Sequence, residues 1–279
     1  AMLEGCRWME RQGWEVTYLT PNSEGGISAQ QVLDAVRPDT ALVSCMLVNN
    51  ELGTIYPIQE IARGLAAKNP QTLLHTDAVQ GFLKIPFSAK TLGADFVTIS
   101  AHKIGGPKGI GALYIGPRVK NPRPLLPGGG QEGGLRSGTE ATAQIAGFAK
   151  AVELRTEGLE DKLRHMAEIK AYAKEQLSAI PDLVFVGRSD APHILSVSLV
   201  GWPSQNIVND LGSQGICISS AGSACHQGKP SQVVAALHLP KKTAGSVVRL
   251  SFGPETTRED IDACVQALRR HHDTRMPML

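Results

Sequence analysis

The sequence predicts an α/β fold, a mostly parallel sheet covered by helices on both faces, forming a large domain followed by a second, smaller α+β domain. Two observations carry this expectation. In the first half, extended apolar runs alternate with helical patterns, the order that right-handed crossovers turn into a parallel sheet covered on both sides. Beyond residue 177 the pattern changes to successive strands closed by a terminal helix. The 279 residues suit one large domain or two moderate ones with a real core. The division falls in the helical stretch between the halves, giving domains of 1–159 and 160–279.

The elements follow in chain order. "AMLEGCRWMERQGWEV" reads as mid-helix running into a strand, so the start resembles an internal cut and the large domain is incomplete there. "WEVTYLT" is the first strand. "ISAQQVLDAV" is a helix with Ser28 as N-cap, Gln31 at N3, and Ile27 and Val32 placed as a hydrophobic staple. "TALVSCMLV" has the unbroken apolar run of a buried strand. Helical "IQEIARGLAAK" and the strands "TLLHTD", "DFVTIS" and "GALYIG" follow. From Thr139 to Leu177 the pattern is one or two long helices broken near "TEGLED". The smaller domain has strands "HILSVSLV", "GICISSA" and "VVRLSF". Its closing helix is capped by Thr256 and Glu259, with Ile261, Cys264, Val265 and Leu268 on one face.

Composition narrows the function. A net charge of +2 is too small to argue for nucleic acid or an acidic membrane surface. No apolar run reaches the ~18 residues of a membrane span. The cysteines are five, an odd number without a C-x-x-C pair, which favours free thiols in a reducing compartment. Cys264 reads as a core thiol, and Cys6, Cys45 and Cys217 as unreactive parts of helix or strand patterns. No metal-ligating set stands out.

Ligands in an open parallel sheet gather beyond the carboxyl ends of the strands. There the chain places Asn49, Asn50 and Glu51 after one strand, Thr76, Asp77 and Gln80 after the next, and Ser100, His102 and Lys103 after a third. A lysine in a partly desolvated site can form a Schiff base with a carbonyl cofactor. Pyridoxal phosphate also needs an acid beside its ring nitrogen, which Asp77 offers, and phosphate donors, which Ser100 and His102 offer. Gly105, Gly106, Gly109 and Gly111 let the backbone pass close by. "GSACHQGKPS" is no P-loop: five residues separate Gly222 from Gly228, and Pro230 stands where Ser or Thr is required.

"VNNELG", "HTDAVQ", "SAHKIGGPKGIGALYIG", "PGGGQEGGLRSGTE" and "SSAGSAC", in this order and spacing across almost the whole chain, resemble the landmarks of cysteine desulfurases. These are pyridoxal-phosphate enzymes of fold type I in the class V aminotransferase group, and the likeness is closest to their housekeeping and nitrogen-fixation branch. The resemblance implies Lys103 as the Schiff-base lysine, Asp77 as the pyridinium partner and Gln80 near the ring hydroxyl. It places Ser100 and His102 on the phosphate, and Thr139 on the phosphate of a neighbouring subunit, hence a homodimer. Asn50 borders the cofactor and, with Arg249, holds the substrate carboxylate. Cys225 is the nucleophile, which takes sulfur from L-cysteine as a persulfide, leaves L-alanine and passes the sulfur to acceptor or scaffold proteins for iron–sulfur clusters or thiolated products. His226 adjoins it as a candidate for lowering its pKa. A cytoplasmic or organellar setting is expected.

The sequence departs from that family in three places. The ring-stacking histidine and the first phosphate loop of the family precede the point where this chain begins. Gly133 stands where an arginine is frequent, and "GWPSQNIVNDL" replaces a stretch rich in Gly and Glu. Two other readings stay open: a selenocysteine lyase, and a truncated non-catalytic paralogue that dimerises or binds partners.

Overall fold

The computed structural model describes residues 2–221 and 231–277. After α1 (Met2–Arg11) and α2 (Ala29–Ala35), the chain alternates β1 (Leu42–Met46), α3 (Ile58–Lys68), β2 (Leu73–Asp77), α4 (Ala89–Leu92) and β3 (Phe96–Ser100). A 3-10 turn, Ala101–Ile104, leads into β4 (Gly111–Ile115). These strands form one sheet in the order β1-β2-β3-β4, parallel across the first two pairs and antiparallel at the last. The helical crossovers explain the parallel pairs, and the short turn after β3 explains the antiparallel one.

Helices α5 (Thr142–Thr156) and α6 (Leu159–Leu177) follow, separated where Gly158 takes φ 58°. The remaining elements are β5 (Leu183–Phe185), β6 (Ile194–Leu199), α7 (Ser204–Ser213), β7 (Ser219–Ser220), α8 (Gln232–Ala235), α9 (Lys241–Ala244), β8 (Val247–Ser251) and α10 (Arg258–Thr274). Their strands make a second, fully antiparallel sheet in the order β5-β6-β8-β7.

Each sheet has its own core. Leu47, Leu74 and Val97 pack with Ile58, Ile61 and Leu65 of α3 on one side of the first sheet. Leu195, Val197, Leu199 and Val248 pack with α6, α7 and α10 at the second. Fully burying one such side chain stabilises by about 1.5–3 kcal/mol. Between the two lies a smaller cluster of Leu52, Val186, Val234, Leu237 and Val247. Hydrogen bonds cross the same seam. Ala191 N–H donates to Gly53 O at 2.8 Å, Ile55 N–H to Asp190 Oδ2 at 3.1 Å, and Ser196 Oγ to Glu51 O at 2.5 Å.

Four local expectations change. "WEVTYLT" is not a strand: residues 14–20 pair with no strand among the described residues. Side chains pin it instead, with Arg37 Nη1 on Glu15 at 2.7 Å and Gln31 Nε2 on Thr20 O at 2.7 Å. Ser28 therefore caps α2 alone, accepting from Gln31 N–H at 3.0 Å. The terminal helix is capped one residue later than expected. Thr257 and Asp260 close the box, while Thr256 Oγ1 accepts from Gly253 N–H at 2.9 Å and so shapes the turn before it. Cys217, read as part of a strand, is exposed ahead of a β7 only two residues long. Cys264 is buried as expected, and burial pushes its thiol up to about 11.

Candidate active site

The parallel pairing of β1, β2 and β3 brings their carboxyl ends to one edge of the first sheet. Asp77 closes β2 opposite Thr98 of β3, and the next residues of β3 lead through Ser100 to His102 and Lys103. One oxygen of Asp77 accepts from Val79 N–H at 2.9 Å, which fixes the carboxylate at the start of the turn carrying Gln80. Ser100 Oγ and His102 Nδ1 lie 2.7 Å apart. Burial and the nearby Lys103, Lys84 and Lys108 lower the His102 pKa, favouring neutral imidazole. Gly105, at φ 86°, ends the short turn that presents the exposed side chains of His102 and Lys103. Gly111 has a reason of its own: a Cβ there would fall 2.6 Å from Ile99 O across the β3–β4 pair.

The second sheet contributes Arg249. Nη1 donates to Asn50 O at 2.7 Å and Nη2 to Ser219 Oγ at 3.3 Å, Ser219 being its register partner on β7. Nε is buried without a hydrogen-bond partner among the described residues. Burial lowers the Arg249 pKa, and Glu51 partly offsets this. Asn50 is carried on a turn made by its neighbour, since Asn49 Oδ1 accepts from the N–H groups of Glu51 and Leu52, both at 2.9 Å. Ser231 Oγ donates to Glu51 Oε2.

The residues expected from sequence thus fall into two groups, one at the strand ends of the first sheet and one where the two sheets are bonded. Asp77, Gln80, Ser100, His102 and Lys103 come from the first sheet; Asn50 and Arg249 join the two. Thr139 is exposed between a 3-10 turn at Glu132–Gly134 and α5, on a different segment from these groups. Lys103 is exposed in the single chain rather than partly desolvated. Cys225 and His226 lie outside the described residues.

Sequence reading missed Lys84 and His193. Lys84 is 7% exposed and donates to Gln80 Oε1 at 3.0 Å. Burial, then Lys103, Arg155 and Arg249, push its pKa down to about 7. Only the i, i+4 spacing from Gln80 hinted at a contact. His193 is 4% exposed, and neither ring nitrogen has a hydrogen-bond partner among the described residues. Burial, then Lys84, Lys170, Arg155 and Arg249, push it down to about 3. A histidine ahead of an apolar strand carries no signal of that environment.

The site is therefore rich in cations, with Glu51 opposite Arg249 and Glu255 opposite Arg155. It suits an anionic ligand with a basic ring: a carboxylate at Asp77, an amine at Lys103, hydroxyl and imidazole at Ser100 and His102, and a buried guanidinium N–H without a partner among the described residues at Arg249. That donor set fits pyridoxal phosphate together with an amino acid.

Comparison with known proteins bears on the same residues. The profile of the family described as Aminotransferase class-V matches residues 4–264. The chain is 38% identical over 277 residues to "Cysteine desulfurase IscS" of Clostridium botulinum strain Hall, covering 96% of this chain and 68% of that protein. It is 39% identical over 280 residues to "Cysteine desulfurase, mitochondrial" of Candida albicans, covering 98% of this chain and 56% of the relative. A solved structure titled "NIFS-LIKE PROTEIN" superposes with TM-score 0.89 at 34% identity, covering 97% of this chain and 72% of that one.

Proposed function

The chain belongs to the cysteine desulfurases of the class V aminotransferase family, and on that footing we propose that it removes sulfur from L-cysteine with pyridoxal 5'-phosphate, leaving L-alanine and a persulfide on Cys225. The family depends on this cofactor, acts on cysteine and hands sulfur to acceptors. The observation that supports the reading best is the edge where Asp77, Gln80, Ser100, His102 and Lys103 meet, with Arg249 and Asn50 bonded to each other across the seam.

Bound, the cofactor supplies an electron-accepting ring that weakens bonds at the substrate's α and β carbons. Lys103 would hold it through its amine, and Asp77 would keep its ring nitrogen protonated. Gln80 would meet the ring hydroxyl, while Ser100, His102 and Thr139 of a second copy in a homodimer would hold the phosphate. Arg249, with its fork geometry, and Asn50 would fix the substrate carboxylate. Lys103, once its amine is free, would move the proton at the substrate Cα. Cys225, as thiolate, would attack the substrate sulfur. An S–S bond forms as the C–S bond breaks, the pair from the broken bond stays with carbon, and a proton completes alanine.

In this reading residues 1–159 form the cofactor domain and 160–279 the smaller domain that carries Cys225; the two separate sheets and their separate cores support the division. Acceptors would be proteins of iron–sulfur cluster or thiolation routes, in the cytoplasm or in an organelle such as that of the mitochondrial relative. No helix among the described residues is long and apolar enough to cross a membrane. The test is alanine and sulfide release from L-cysteine by the protein supplied with pyridoxal phosphate and a thiol reductant. Equal amounts of both, lost in Cys225→Ala, are expected; undiminished release of both by Cys225→Ala would remove Cys225 from the reaction.

A further inference from the structure

Lys84 is buried against Gln80 of the proposed cofactor site, and the reaction leaves it without a task. It closes the turn that follows β2, in which Gly81 and Phe82 N–H both bond to Ala78 O and Lys84 N–H bonds to Gly81 O at 3.0 Å. This turn aims Lys84 Nζ back at Gln80 Oε1, 3.0 Å away. An ammonium has donors and no lone pair, so it can face only the oxygen of an amide. The Gln80 NH2 then points away from Lys84.

We propose that Lys84 is a positioning residue, whose ammonium holds the Gln80 carbonyl oxygen inward and thereby commits the Gln80 NH2 to donate toward the cofactor's ring hydroxyl. The proposal rests on the function given above and extends it to a residue that acts through Gln80. The surroundings make the arrangement switchable. Lys103 beyond β3, Arg155 on α5, Arg249 on β8, His102 on the 3-10 turn and His193 ahead of β6 all share its electrostatic neighbourhood, and burial with the first three brings its pKa to about 7. Without its proton the amine can accept from Gln80 Nε2, and the amide is free to turn over. Anions bound in the same cationic site favour the protonated form, so phosphate and substrate carboxylate would secure the amide that the ring requires.

The experiment begins with the cofactor-free protein. Nitrogen-15 NMR of the Gln80 side-chain amide, assigned with Gln80→Ala, should show its NH2 signals titrating with a midpoint near pH 7. The titration should vanish in Lys84→Met and become pH-independent in Lys84→Arg, each with an otherwise preserved spectrum. In the loaded enzyme Lys84→Met should lower kcat roughly tenfold, the worth of one charge-assisted hydrogen bond, with KM little changed and Lys84→Arg restoring most of the rate. Signals that ignore both pH and Lys84→Met overturn the proposal, and so does an unchanged kcat in Lys84→Met. An amide that follows Lys84 in a protein unable to take pyridoxal phosphate would instead overturn the proposed function and leave the coupling of the two side chains standing.

Discussion

At Arg249 one guanidinium spans the seam, with Nη1 on Asn50 O, Nη2 on Ser219 Oγ and Nε buried without a partner among the described residues. A lysine there keeps the charge and loses the fork. Arg249→Lys should therefore raise KM for L-cysteine by roughly tenfold with kcat less affected, which steady-state kinetics checks; an unchanged KM would remove Arg249 from the carboxylate. The neighbouring turn can be tested separately. Asn49 is 5% exposed and its Oδ1 accepts two backbone N–H groups. Asn49→Ala removes both of these bonds and should cost about 2 kcal/mol in chemical denaturation. At this scale the sequence nominates a residue where its type matches a task. Asp77, Lys103 and Arg249 are nominated in this way by position and motif, and their roles belong to the proposal. Lys84 is not, because its contact with Gln80 depends on a turn that brings a side chain back four residues, and only the i, i+4 spacing hints at it.

At the scale of elements, the segment from Gly187 to Ala191 ties the two halves together, and Lys170 of α6 holds it. Lys170 is 7% exposed, and its Nζ donates to Ala191 O at 2.6 Å and to Ser189 O, where Ser189 takes φ 55°. Lys170→Met keeps the bulk and removes both bonds, so it should destabilise by about 2–3 kcal/mol; a denaturation midpoint that does not move would show that packing alone carries the seam. Strands and helices with strong patterns were legible here, as α3, α6 and β6 show. The failures have physical causes. Thr256 and Thr257 each precede an acid by three residues, and the Gly253–Thr256 hydrogen bond selects between them. "WEVTYLT" has the composition of a strand, yet residues 14–20 enter no ladder among the described residues, and side-chain bonds from Arg37 and Gln31 hold them instead.

For the whole molecule, burial of basic groups links stability to pH. His193 stays neutral in the fold at about 3, against an ordinary value near 6.5, so the unfolded chain binds the proton first. Its contribution is complete above pH 6.5 and is lost as pH falls toward 3. Thermal melts across that window should show a drop that His193→Asn flattens; an unaltered profile would place the acid sensitivity elsewhere. The central claim is narrower: the amine of Lys103 and the carboxylate of Asp77 serve one ring. Its most direct test is to incubate the protein with pyridoxal phosphate, reduce with borohydride and digest for mass spectrometry. A pyridoxyl group on the peptide containing Lys103, formed in wild type and weakened in Asp77→Asn, is the predicted result. A label on other lysines with Lys103 unmodified would contradict it.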